Sequence, residues 1–118
     1  MSIVADLMTK PGVLAAGQYA YRGDRFSYKG DLTEEYARMA SIMCRATTMS
    51  SSMAGEMIAA FRPECGIQPV GGWMLRGPTR SVCVMANVFC FVDNEKASLN
   101  AILNVMRQVL ADADLDLI

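Results

Sequence analysis

Residues 36–61 carry only three charges, Arg38, Arg45 and Glu56, in a segment that otherwise reads as one uninterrupted helix. Asp31 followed by Glu34, a variant of the capping box, opens it. Arg62-Pro63 closes it, because the residue before a proline leaves the helical region. A surface helix needs an apolar stripe only about 100° wide and a charged back. At about 100° per residue, Tyr36, Met39, Ala40, Ile42, Met43, Ala46, Met49, Met53, Ala54, Met57, Ile58 and Phe61 instead fill about half the circumference. The other side is made of small residues. Ala37, Ser41, Thr48, Ser52, Gly55 and Ala59 recur at steps of 4, 7, 4, 3 and 4, a heptad-like seam.

Thr47, Thr48, Ser50, Ser51, Ser52 and Gly55 are weak helix formers, so such a helix needs support from outside. Small side chains let two backbones approach closely. The economical expectation is a two-fold dimer in which the helix packs on its own copy through this seam, with Arg45 beside it. The alternative is a serine-rich face in water. The methionines at 39, 43, 49, 53 and 57 have i,i+4 spacings that a soft metal such as copper could use. Packing or partner binding is the commoner role for such a face, and no metal or cofactor is expected.

The flanking segments supply the rest of a single domain over residues 1–118. Ser2 caps a short helix with Ile3, Val4, Leu7 and Met8 on one face, and Pro11-Gly12 stops it. Residues 13–21 and 26–29 read as a hairpin around Arg22-Gly23-Asp24-Arg25, an Arg-Gly-Asp triplet better explained as a turn than as an adhesion motif. Three strands follow at 70–76, 80–86 and 88–93, the last pair apolar on both faces and therefore central. Asp93 or Asn94 is expected to cap a final helix through Leu99, Ile102, Leu103, Met106, Val109 and Leu110. That helix should fray at Asp112, Asp114 and Asp116. The expected fold class is α+β, a five-stranded mainly antiparallel sheet between helices in the order α-β-β-α-β-β-β-α.

Gly71 and Gly72 open the third strand beside Trp73. Either they let another backbone approach across a dimer axis, or they kink the chain and Trp73 packs in the core.

Composition excludes more than it names. The chain contains no histidine, which removes Ser-His-Asp and Cys-His catalysis and the usual general base. The longest charge-free stretch, residues 81–92, is far short of the roughly 20 residues of a spanning helix. The start of the chain lacks the basic region of a secretory signal, so a cytoplasmic location is expected. Lys and Arg are scattered without a stripe, which argues against nucleic acid. The four cysteines contain no C-x-x-C pair. If Ala86-Asn87 is a two-residue turn, Cys83 faces Cys90, a candidate disulfide or persulfide pair, whereas buried free thiols are the usual state. Cys65 lies in a loop between Glu64 and Gly66 and is the other candidate reactive thiol.

The element order, with Gly72-Trp73-Met74-Leu75-Arg76-Gly77 and Asn87-Val88-Phe89-Cys90-Phe91-Val92 as third to fifth strands, resembles the roadblock and dynein-light-chain fold, a profilin-like domain. Tyr19-Ala20-Tyr21-Arg22-Gly23-Asp24 and Ala40-Ser41-Ile42-Met43-Cys44-Arg45 are similar to a small bacterial family of uncharacterised roadblock-like proteins encoded beside heterodisulfide-reductase-like sulfur-oxidation machinery. The resemblance implies a homodimer joined through the long helix and third strand. It also implies a scaffolding or regulatory role toward a small GTPase or a heterodisulfide-reductase-like component, with no catalytic residue carried over. The expected function is a non-enzymatic, protein-binding homodimer; the alternative is a cysteine-based redox or sulfur carrier.

Overall fold

The computed structural model describes residues 2–20 and 25–110. The expected hairpin loop at Arg22-Gly23-Asp24 and the acidic end at 112–116 lie outside them. Helix α1 (Ile3–Met8) begins where the Ser2 Oγ accepts the Ala5 N–H at 3.2 Å. Strands β1 (Val13–Tyr19) and β2 (Phe26–Gly30) follow, then helix α2 (Glu34–Phe61) and a single 3-10 turn, Pro63–Cys65. Strands β3 (Gly72–Arg76), β4 (Arg80–Met85) and β5 (Val88–Asp93) lead into helix α3 (Leu99–Leu110).

The five strands form one antiparallel sheet in the order β2-β1-β5-β4-β3. This is the expected α+β architecture, with β1, β5 and β4 central and β2 and β3 at the edges. Strands β4 and β5 meet in the two-residue turn Ala86-Asn87, so Cys83 pairs with Cys90 and Val84 with Phe89. Asn87 ties this turn to β1: its Nδ2 donates to the Tyr19 carbonyl at 2.7 Å and its carbonyl accepts the Tyr19 N–H at 3.0 Å.

Each face of the sheet has its own core. Helices α1 and α3 cover one face, where Ile3, Val4, Leu7, Ile102 and Met106 bury Ala16, Val88, Cys90 and Val92. Helix α2 covers the other, where Ala40 and Cys44 meet Tyr19, Val82, Val84 and Phe89, with Phe26, Leu32, Trp73 and Phe91 around them. Gly17 is paired with Phe89 on this sheet, and a side chain at 17 would occupy the space of the Phe89 ring.

Two helix starts differ from expectation. Thr33, rather than Asp31, caps α2, its Oγ1 accepting the Tyr36 N–H at 3.2 Å. Asp31 is held back because its own N–H donates to the Leu14 carbonyl at 2.8 Å, at the end of the β1–β2 pairing. Ser98, rather than Asp93 or Asn94, caps α3 through the Ala101 N–H. The Asp93 Oδ1 instead accepts the Glu95 N–H at 2.9 Å and shapes the preceding turn, while Asn94 joins Ser81 Oγ to the Gly77 carbonyl.

Candidate interaction surface on the middle helix

Helix α2 lies on the sheet with its small side inward. Ala37 is fully buried, and Ala40, Ser41, Cys44, Thr48 and Gly55 are buried with it. The sheet beneath is bulky, built from Tyr19, Phe89, Trp73 and Phe91, so small helix residues are what close packing requires. The Trp73 Nε1–H donates to Thr48 Oγ1 at 2.8 Å, and Ser41 Oγ donates to the Ala37 carbonyl at 2.8 Å. Arg38 sits over the Phe26 ring, 5.8 Å from its centroid, and fastens the first turns to the edge strand.

This placement corrects the expected interface. Ala37, Ser41, Thr48 and Gly55 are committed to the chain's own sheet, with Arg45, Ser52 and Ala59 half-buried at the margins of the same contact. Gly55 has Val70 directly above it, so its missing side chain serves an internal contact. The strand glycines are also explained within the chain. The Gly71 carbonyl accepts the Ala86 N–H at 2.9 Å, and Gly72 lies against the Val84 backbone. Trp73 turns inward to Thr48, which is the core reading of that residue. Among the described residues β3 is the last strand on its side of the sheet, and its Met74 and Leu75 are exposed.

The large residues of α2 point away from the sheet. Tyr36, Met39, Ile42, Met43, Met49, Met53, Met57 and Ile58 are all exposed, and Phe61 is 90% exposed. Side chains of this size, half-exposed, each leave on the order of 100 Å² uncovered, so together they present on the order of 900 Å². The largest apolar patch on an ordinary monomer is roughly 300–600 Å², and one side of a standard protein interface is about 800 Å². Among the described residues, no second layer packs on this face.

Removing the Thr48 hydroxyl tests the inward contact. Thr48→Val keeps the shape but leaves the Trp73 N–H without its acceptor, and is expected to cost about 1–3 kcal/mol in urea unfolding. A shift of the Trp73 emission should accompany it.

The cysteines divide by burial. Cys44, Cys83 and Cys90 are fully buried and Cys65 is exposed. Burial pushes the Cys44 thiol up to about 12, and Cys90 to about 12 through burial first and the neighbouring Cys83 second. Cys83 is raised by burial as well. Although Cys83 and Cys90 face each other, both are free thiols. Counting back from the two-residue turn puts them at a hydrogen-bonded position of the ladder. Their Cβ atoms are then about 5.5 Å apart, against about 3.5–4.5 Å in a disulfide. Cys65 ends the 3-10 turn, beside an exposed Arg62–Glu64 ion pair at 3.2 Å. With iodoacetamide at pH 8, one thiol per folded chain, Cys65, is expected to react, and the other three only on unfolding. Mass spectrometry of the alkylated peptides checks this.

Nothing else described concentrates chemistry. The surface depressions of about 370 Å³ near Gln18 and Asn87 and of about 260 Å³ near Leu75 and Arg80 are open to solvent. No helix among the described residues is long and apolar enough to cross a membrane. Residues 3–108 match the family model described as an uncharacterized conserved protein, DUF2173. The chain belongs to the DUF2173 family. The match runs from the first residue of α1 into α3, so it takes in every element that frames the exposed helix face. No curated protein matches the chain.

Proposed function

We propose that this DUF2173 chain is a non-enzymatic homodimeric scaffold or regulatory adaptor. It binds another protein in the cytoplasm, as a component of a bacterial sulfur-oxidising complex of the heterodisulfide-reductase-like kind. The observation that carries the reading is the outward apolar face of α2, from Tyr36 to Phe61, which is too large for the surface of an isolated monomer. Strand β3, at the edge of the sheet among the described residues and with Met74 and Leu75 exposed, supplies a second surface on the same domain. The absence of histidine and the burial of three of the four thiols favour this role over a catalytic or sulfur-carrying one. The roadblock-like element order and the segments similar to sulfur-oxidation-linked proteins support the cellular setting.

Affinity purification of the tagged chain from cells that produce it naturally tests the proposal. A heterodisulfide-reductase-like subunit recovered at fixed stoichiometry is the expected result. A different protein recovered at fixed stoichiometry would overturn the sulfur-oxidation setting while keeping the scaffold. Recovery of the chain alone would overturn the scaffold.

A further inference from the structure

Helix α2 does not cover the whole of its sheet face. It crosses the rows that hold Phe26 and Trp73, with Arg38 5.8 Å from the Phe26 ring centroid and Thr48 bonded to the Trp73 N–H. Two residues further along the strands, where side chains return to the same face, Phe91 pairs with Val82 and Val82 with Leu75. Val82 is buried there, but Phe91 is only half-buried and Leu75 is 63% exposed. This corner of the sheet holds a cavity of about 260 Å³, with Leu75, Val82 and Phe91 as its apolar lining and Arg76 and Arg80 among its walls. Phe91 and Arg80 also line a second cavity of about 130 Å³, together with Leu32 and Asp31. The two reach the lower end of the roughly 300–1,000 Å³ range of small-molecule sites, which are mostly apolar with a few placed polar groups.

Arg80 is the group shared by both cavities, and its charge is not neutralised within the chain. Asp93 is its partner across β4 and β5, yet the Asp93 Oδ1 accepts the Glu95 N–H at 2.9 Å and the Lys96 N–H at 3.4 Å. Among the described residues neither Arg76 nor Arg80 is in an ion pair. The backbone at Arg80 is held in place, since its carbonyl accepts the Gly77 N–H at 2.8 Å. A guanidinium beside an apolar floor complements a carboxylate or sulfonate carried on an apolar body. Asp31, on the far side of the smaller cavity, repels a second negative charge.

We infer that this corner of the sheet binds an amphipathic organic monoanion, its acid group on Arg80 and its apolar body against Phe91, Val82 and Leu75. The site lies apart from the outward face of α2 and does not depend on the homodimer.

Anilinonaphthalene sulfonate, an aromatic monoanion whose emission rises as it leaves water, is the probe, titrated onto the full chain. Binding is expected to saturate at a single dye per chain. Arg80→Gln should weaken it at least about tenfold, the effect of losing one charge-assisted hydrogen bond. Leu75→Asp, at an exposed position, should weaken it as much by setting a like charge in the cavity. Octanoate should displace the dye at least about tenfold better than octylammonium or the dianion suberate. The chain with Met43, Met53 and Met57 changed to glutamate should keep its affinity, because those residues belong to the rival apolar surface. Binding that survives Arg80→Gln and Leu75→Asp but disappears in the methionine variant would overturn the proposal. Equal displacement by octylammonium, or no saturable binding below about 1 mM, would overturn it as well.

Discussion

Exchanging Met43, Met53 and Met57 together for glutamate is expected to halve the mass of the protein in solution and leave its fold intact. All three side chains are exposed, so no core contact is removed and the far-UV circular dichroism should keep its shape. In the paired state each carboxylate would have to leave water for an apolar seam with no cation in it, at a cost of several kcal/mol. Even a total of about 4 kcal/mol weakens association about a thousandfold, enough to move a micromolar dimer out of range. Sedimentation at matched concentrations would show it. An unchanged mass would mean that the outward face of α2 is not the contact.

The second large effect belongs to the core. Phe89 is fully buried, stands over Gly17, and meets Phe91 edge to face with centroids 5.6 Å apart. Phe89→Ala is expected to cost about 3–5 kcal/mol, a large part of the 5–15 kcal/mol available to a domain of this size. At about 4–8 °C per kcal/mol the melting temperature should fall by more than about 12 °C. Phe61→Ala removes the same ring from a position 90% exposed and should leave monomer stability within about 0.5 kcal/mol. The comparison is best made in the Met43, Met53 and Met57 triple variant, where association does not add to apparent stability.

That contrast also marks how far the amino-acid sequence can be read. Strand and helix order was legible because turns are punctuated by local chemistry: Pro11-Gly12, Gly77-Pro78 and Ala86-Asn87 each stop one element and start another. The Cys83–Cys90 pairing followed from the turn alone, since a two-residue loop fixes register. Helix periodicity separated the two sides of α2 except at Ala40, which it set with the large residues and which packs against the sheet, and it could not say which side met the sheet. Assigning the large residues inward assumes a partner with room for them, whereas β1, β5 and β3 present Tyr19, Phe89 and Trp73 on that face. Small helix residues are the complement of that surface, and this depends on which distant strands come together. The caps were missed for a more local reason. Asp31, Thr33 and Glu34 all offer acceptors near the start of α2, and the hydrogen bond from Asp31 N–H to the Leu14 carbonyl, far back in the chain on β1, decides among them.

The same reversal moves the expected contact surface without removing the reason to expect one. A helix with small residues on both sides would need nothing more than its own sheet. Helix α2 has a small inner face that satisfies the sheet and an apolar outer face that the described residues leave exposed.

Sedimentation equilibrium of the unmodified protein, followed from about 1 to 100 μM, a range spanning common dimer affinities, puts that claim to the most direct test. The proposed homodimer predicts a species of twice the 12.9 kDa chain mass over most of that range. A mass of 12.9 kDa throughout would contradict it.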